Sequence, residues 1–173
     1  MIDSWAVAVY NNSVYTRNIK GYPIMSKNEK MGLYPKPSSP CNCMNIRRAS
    51  RAVSQFYDSV LEPGGITLNQ FGMLNVINSM QSPGISELAG EFRIDRTTMN
   101  RNLKPLLEKE LICQRQGSDA RRREIVLTES GHSALQQGMK LWEDAQKALE
   151  DYLGADELKQ LKNTLSKLEA LVP

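Results

Sequence analysis

Two groups of polar and basic side chains, both between residues 97 and 123, have the chemistry to bind a polyanion. The first group consists of Thr97, Thr98, Asn100, Arg101 and Lys104. Its hydroxyl, amide and guanidinium groups can form hydrogen bonds with base edges and phosphates, which apolar side chains cannot do. The second group consists of Asp119, Arg121, Arg122 and Arg123. Clustered guanidinium groups suit the narrow minor groove of duplex DNA, where negative potential is concentrated. Both groups therefore predict a nucleic-acid interface.

The charge of the chain is unevenly distributed along its length. The 173 residues carry a formal net charge of +3. Residues 93–123 contain nine basic and four acidic side chains, whereas residues 124–173 contain five basic and nine acidic ones. A basic block followed by an acidic region indicates a polyanion-binding surface held on an ordinary scaffold. Charge alone fits a solvated surface equally well, so the interpretation depends on the elements that carry these residues.

Three helices are predicted ahead of the first polar group. Helix 1 is predicted to start at Ser39 as N-cap, with Pro40 as its first helical residue. Its apolar stripe, at 3-4-3-4 spacing, consists of Ile46, Ala49, Val53, Phe56 and Val60. Thr67 and Gln70 form the capping-box pattern that opens helix 2, whose Phe71, Leu74 and Ile77 are predicted to face inward. Ser82-Pro83-Gly84 ends that helix, and a short third helix is predicted over Ile85–Phe92.

A fourth helix and a hairpin are predicted to carry the two polar groups. Asp95 is a natural N-cap for helix 4, which extends to about Glu110. Leu111–Arg115 and Arg123–Leu127 are strand candidates, and the polar loop between them predicts a hairpin with a basic tip. Helices 2, 3 and 4 followed by this hairpin predict a mainly α fold, a winged helix-turn-helix in which helix 4 enters the major groove. The alternative is that Thr97 and Thr98 only cap the start of helix 4.

The two ends of the predicted fold carry narrow apolar stripes that favour dimerisation. Helix 6 repeats Leu158, Leu161, Leu165 and Leu168 in a seam of the coiled-coil type. Ile46, Val53 and Phe56 form the corresponding part of the helix 1 stripe. Such stripes are best buried against each other and against their symmetry mates, and a two-fold dimer predicts a pseudo-palindromic operator. The alternative is that both stripes pack on helix 5 within one subunit.

Several of these segments resemble the MarR family, the multiple-antibiotic-resistance type of regulators. The run Asp119-Ala120-Arg121, followed by Leu127-Thr128 and Gly131, is similar to the wing signature of that family. Residues 85–89 and 95–103 are similar to its third and recognition helices, so the resemblance covers roughly residues 41–173. It implies a dimer with intertwined terminal helices, which represses promoters and often releases DNA when a small aromatic molecule binds. It also implies that Arg121 inserts into the minor groove and that Asp119 steadies this arginine.

The predicted organisation has four segments. Residues 1–40 form an N-terminal extension and linker with a weak hairpin pattern, and residues 41–66 contain helix 1, a dimerisation element. Residues 67–127 form the winged helix-turn-helix region. Residues 128–173 contain helix 5, for which Thr128 is the predicted cap, and helix 6, and they complete the dimerisation region. The resemblance implies nothing about residues 1–40.

Cys41 and Cys43 lie two residues apart near the start of helix 1 and are the candidate redox residues. The positive end of a helix dipole favours a thiolate, and the oxidant-sensing branch of the family resembles this arrangement. Inert, partly buried cysteines are the simpler interpretation, and two cysteines cannot complete a tetrahedral zinc site. Cys113, in the first wing strand, is predicted to pack in the core.

Several function classes are disfavoured by what the sequence contains. A single histidine, His132, without a phosphate-binding glycine loop or a metalloprotease motif predicts no enzyme, no cofactor and no metal site. No apolar run reaches the about 18 residues that span a membrane, and three cysteines favour the cytoplasm. The leading prediction is a sequence-specific regulator that binds double-stranded DNA. The alternatives are an oxidant sensor that uses Cys41 and Cys43, and a winged-helix module for protein interaction.

Overall fold

The computed structural model describes residues 8–10, 13–15, 39–117 and 123–171. The helices described are α1 (Asn42–Leu61), α2 (Leu68–Met80), α3 (Ile85–Glu91), α4 (Arg96–Glu108), α5 (Glu129–Leu153) and α6 (Ala155–Glu169), with a 3-10 turn at Glu62–Gly64. The strands are β1 (Ala8–Tyr10), β2 (Ser13–Tyr15), β3 (Ile112–Gln116) and β4 (Arg123–Leu127). This order confirms the predicted mainly α fold with a β-hairpin wing.

Each strand pairs with its neighbour in the sequence to form an antiparallel hairpin. In the N-terminal extension Ala8 pairs with Tyr15, so the weak hairpin pattern is confirmed for the strands themselves. In the wing, Ile112 pairs with Leu127 and Gln116 with Arg123. The basic tip predicted between β3 and β4 contains Asp119, Arg121 and Arg122, which lie outside the described residues.

The chain divides into two compact units, and the unit Ser54–Trp142 has a continuous apolar core. The members of this core are supplied by α2, α3, α4, the wing strands and the start of α5. They include Phe71, Leu74, Ile77, Leu88, Met99, Leu103, Leu106, Ile112, Ile125 and Leu135. The burial of each such side chain stabilises the fold by about 1.5–3 kcal/mol before entropy is counted. Phe71, Leu74 and Ile77 follow the helical spacing that predicted them to face inward.

Hydrogen bonds at the helix starts confirm three of the predicted caps. Thr67 and Gln70 form both bonds of a capping box at α2, and Asp95 accepts the backbone N–H of Thr98 at α4. The Thr128 hydroxyl accepts the N–H of Gly131 at α5 and donates to the carbonyl of Glu110. These caps satisfy backbone donors that have no partner within the helix.

The predicted start of α1 is wrong by two residues. Asn42, not Pro40, is the first helical residue, and the carbonyl of Cys41 accepts the N–H of Asn45 at 3.2 Å. Ser39 instead exchanges two bonds with the Asn45 side chain, at 2.8 and 2.7 Å. Because these bonds hold Ser39 in a turn ahead of the helix, Cys41 occupies the N-cap position.

The wing is joined to the helices at two places. The backbone N–H of Ile125 donates to the carbonyl of Pro83 at 2.9 Å, and Gly84 forms an isolated bridge with Glu124. The segment between α2 and α3 therefore contacts β4 through a single bridge. At the base of the hairpin, a Cβ on Gly131 would overlap the carbonyl oxygen of Leu111. Only glycine allows α5 to start this close to the wing.

Candidate nucleic-acid interface

One face of α4 presents polar side chains to solvent, and the opposite face is buried. Thr97, Asn100, Arg101 and Lys104 are exposed, whereas Met99, Leu103 and Leu106 are at most 1% exposed. Successive residues of a helix are about 100° apart, which places the two sets on opposite sides of α4. The buried set packs in the core and thereby fixes the direction in which the polar set points. Four of the five residues of the first predicted group thus form one accessible surface.

Thr98, the fifth residue of this group, belongs to the helix cap. Its hydroxyl donates to Asp95 at 2.6 Å and accepts Nη2 of Arg101 at 3.1 Å, and the side chain is only partly exposed. The hydroxyl and the backbone N–H of Thr98, in that order, hold the pKa of Asp95 below its ordinary value of 3.8. Because the lowered pKa favours the charged form in the folded protein, the Asp95 cap stabilises the fold at pH values above 3.8. This contribution is lost as the pH falls through the lowered pKa. Thr98 is therefore the donor that the Asp95 cap of α4 binds, and its hydroxyl also orients the guanidinium of Arg101.

Lys104 has an ion pair on its own helix. Its Nζ lies 3.7 Å from Oε1 of Glu108, and the two side chains are 74% and 63% exposed. An exposed pair of this length contributes little to stability. The ammonium group is therefore free to exchange the carboxylate for another anion at small cost.

The second predicted group is only partly within the described residues. Arg123, the first residue of β4, is exposed. Asp119, Arg121 and Arg122 lie outside the described residues. β4 runs from Arg123 toward the start of α5. Arg123 therefore lies at the end of β4 that is distant from α5.

Arg115 is a charged residue of the wing that the sequence analysis did not single out. Its side chain is 58% exposed, and its Nε lies 3.1 Å from Oε2 of Glu124 on the paired strand. Its Nη2 donates to the hydroxyl of Ser82 at 2.7 Å. Because successive residues of a strand point to opposite faces, Arg115 lies on the face of β3 opposite to Ile112 and Gln114. No local signal in the sequence connects Arg115 with Ser82.

The three cysteines are all exposed. Cys41 at the N-cap and Cys43 in the first turn lie near the start of α1, as predicted, and neither is partly buried. The prediction that Cys113 packs in the core is wrong, because Ile112 faces the core and the next residue of a strand faces the other side. Cys113 instead lines an open cavity of about 630 Å³ with Leu107, Gln114 and Ser130.

The stripes of the terminal helices are largely exposed within a single subunit. On α1, Ile46 and Val53 are 44% and 40% exposed, and Phe56 is partly exposed. On α6, Leu161 and Leu165 are 40% and 43% exposed. Leu158 is buried and Leu168 is partly buried. The alternative in which one subunit buries both stripes by itself is disfavoured by these exposures.

Two further features are absent from the part of the chain that the structure describes. No group of three or more His, Cys, Asp or Glu side chains there could hold a metal ion. No helix there is long and apolar enough to cross a membrane.

Comparison with known proteins identifies several transcription regulators that are similar to this chain. The Mycobacterium tuberculosis transcriptional regulator MosR, solved in complex with DNA, is 36% identical, with 77% of this chain and 99% of MosR covered and a TM-score of 0.63. Wild-type MarR from Escherichia coli is 24% identical, with 79% and 100% covered and a TM-score of 0.60. The uncharacterized HTH-type transcriptional regulator YwoH of Bacillus subtilis is 23% identical over 112 residues, which are 64% of this chain and 82% of YwoH. No protein-family model matches the chain.

Proposed function

This chain belongs to the MarR family of winged helix-turn-helix transcription regulators, and from that premise we propose that it represses transcription as a homodimer on a pseudo-palindromic DNA site. The observation that carries the proposal is the polar face of α4, which is exposed along its length and held in place by a fully buried apolar face. The likeness to MosR, at 36% identity over almost all of that chain, supports DNA as the ligand of this face.

In the proposed complex, α4 contacts bases and one phosphate in the major groove, and the wing contacts the minor groove. Thr97, Asn100 and Arg101 stand in the first two turns of α4, where side chains reach base edges in the major groove. Lys104, one turn further along, suits a phosphate. Asp119, Arg121, Arg122 and Arg123 of the wing supply the minor-groove contacts. The positive charge of this region matches the negative charge of duplex DNA.

Dimerisation is proposed through the terminal stripes, because most of their apolar side chains are at least partly exposed in one subunit. The second copy would cover Ile46, Val53 and Phe56 on α1 and Leu161, Leu165 and Leu168 on α6, next to Leu158, which is already buried. A two-fold dimer places its two α4 helices about 34–36 Å apart, one turn of DNA. The spacing predicts two half-sites related by symmetry.

The proposal is tested by selecting bound DNA from a random pool and titrating the selected operator with salt. A DNA-binding protein loses affinity steeply as salt rises, because neutralised phosphates release their counterions. Weak binding without sequence preference and without salt dependence would favour a protein-interaction module instead.

A small aromatic effector is proposed from the family resemblance. Repeating the selection with phenolic acids shows whether such molecules release the operator.

Replacing Arg101 with alanine is expected to weaken operator binding by about 1–3 kcal/mol and to relax sequence preference at one position of each half-site. The loss follows if the guanidinium, which Thr98 orients, reads a base edge. Binding titrations with the selected operator and with single-base variants measure both effects. Gln136→Ala, an exposed change on α5, is the control and should bind like wild type. If Arg101→Ala kept both affinity and sequence preference, α4 would not lie in the groove.

A second candidate function, oxidant sensing, is favoured by the exposure of both thiols at the start of α1. Hydrogen peroxide would oxidise one thiol to a sulfenic acid and release one water, and the second thiol would then react with the sulfenic acid to form a disulfide and release a second water. Because α1 carries part of the proposed dimer surface, a disulfide between Cys41 and Cys43 would disturb the dimer and release the DNA.

Peroxide is expected to release wild-type protein from its operator, whereas the Cys41→Ser, Cys43→Ser double variant should remain bound. Cys113→Ser is the matched control, because this thiol is also exposed but lies on β3. The control should be released like wild type, and a thiol reductant should restore binding. Equal release of the double variant and of wild type would exclude these two thiols as the sensor.

A further inference from the structure

Arg115 connects three segments that are distant in the chain. From β3 its guanidinium contacts Glu124 on β4 at 3.1 Å and the Ser82 hydroxyl at 2.7 Å. Ser82 lies 33 residues earlier, in the turn between α2 and α3. A single side chain thus holds both strands of the wing against the start of the helix-turn-helix pair.

The turn that Arg115 contacts has an unusual backbone. Gln81 and Ser82 both have positive φ angles, 52° and 81°, which residues other than glycine rarely adopt. Such conformations persist where surrounding contacts determine them. The bond from Arg115 is a contact of this kind, because it reaches the Ser82 side chain from another element.

Arg115 lies near the end of the paired strands that leads into the wing tip. Arg115 pairs with Glu124 in the strand register, and only the Gln116–Arg123 pair lies beyond it before the tip. Two backbone contacts hold β4 to the segment before α3. Gly84 forms a bridge with Glu124, level with Arg115, and the N–H of Ile125 donates to the carbonyl of Pro83 one residue further from the tip. Without the guanidinium, the hairpin can pivot about these two contacts, and the Glu124 side chain, which is 15% exposed, loses its ion-pair partner.

We propose that Arg115 is a positioning residue, which sets the pose of the wing relative to α4 by bridging Glu124 and Ser82. This inference rests on the proposed function, because the pose matters only if wing and α4 contact one duplex together. Positioning by Arg115 differs from a direct phosphate contact in one respect that can be measured. It requires Ser82, whereas a phosphate contact does not.

The experiment compares operator affinity and Tm for Arg115→Met, Ser82→Ala and their combination. Arg115→Met is expected to weaken binding about tenfold and Ser82→Ala about threefold. The double variant should bind like Arg115→Met, because both changes break the same contact. Arg115→Lys, which retains a charged donor, should recover part of the loss. The Tm should fall by only a few degrees, because the Arg115 side chain is 58% exposed and is not part of the apolar core.

A matched control separates positioning from charge. Lys140→Met removes one exposed positive charge from α5 and should bind within about twofold of wild type. The proposal is overturned if Arg115→Met binds no more weakly than this control. It is also overturned if Ser82→Ala binds like wild type while Arg115→Met lowers the salt slope by about one unit, which would indicate a direct phosphate contact. Should Arg115→Met fail to fold, Ser82→Ala alone decides, since it retains the arginine. Failure of the proposed function would appear earlier, as wild-type protein without salt-dependent DNA binding.

Discussion

A protein that carries Leu161→Asp and Leu165→Asp is expected to be a folded monomer with at least about a hundredfold weaker operator binding. Within one subunit these leucines are 40% and 43% exposed, so their replacement should change the stability of the subunit by only about 0.5 kcal/mol each. In the proposed dimer the same carboxylates would be buried without partners, at a cost of several kcal/mol. A monomer holds one half-site and loses the avidity of two linked sites, which is about 10²–10⁴-fold.

Sedimentation and operator titration check this expectation against a variant with the same change in charge. Gln160→Asp with Asn163→Asp adds two carboxylates to exposed positions on the other side of α6. That variant should remain a dimer and bind DNA with nearly wild-type affinity. A leucine variant that still sedimented as a dimer would place the subunit interface elsewhere. A wild-type monomer with full affinity for one half-site would contradict the arrangement as well.

Features that depend on neighbouring residues could be predicted from the sequence. The caps at Thr67, Asp95 and Thr128 are confirmed, because each is made within three residues by a side chain whose chemistry suits a helix start. The inward positions of α2 follow from the helical period. These local signals agree with one another, which is why the order of helices and wing was predicted correctly.

Features that depend on distant residues could not be predicted in this way. Ser39 has the chemistry of an N-cap, but a competing pair of bonds with Asn45 keeps it outside α1. Cys113 follows two buried residues, Leu111 and Ile112, and the apolar run concealed the point at which the strand begins to alternate. Arg115 was overlooked because its partner Ser82 is 33 residues away, and no period or spacing connects them.

Charge and core packing depend on different residues of the wing sequence. Arg121, Arg122 and Arg123 form an uninterrupted basic run in the sequence, while Ile112 of β3 and Ile125 of β4 belong to the apolar core. Because this core is apolar, we expect the three arginines to contribute little to the stability of the wing. Their substitution therefore tests DNA binding without a large change in stability.

Replacing Arg121, Arg122 and Arg123 together with alanine is expected to weaken binding to all DNA sequences by about a hundredfold or more. The salt slope should fall by about one unit for each phosphate contact that is lost. The control removes three exposed lysines from α6, outside the leucine stripe: Lys159, Lys162 and Lys167. Because net charge changes equally in both variants, only contact with the duplex distinguishes them, and the α6 variant should keep most of its affinity. If the two variants lost affinity to the same extent, the wing would act through general charge and not by entering the groove.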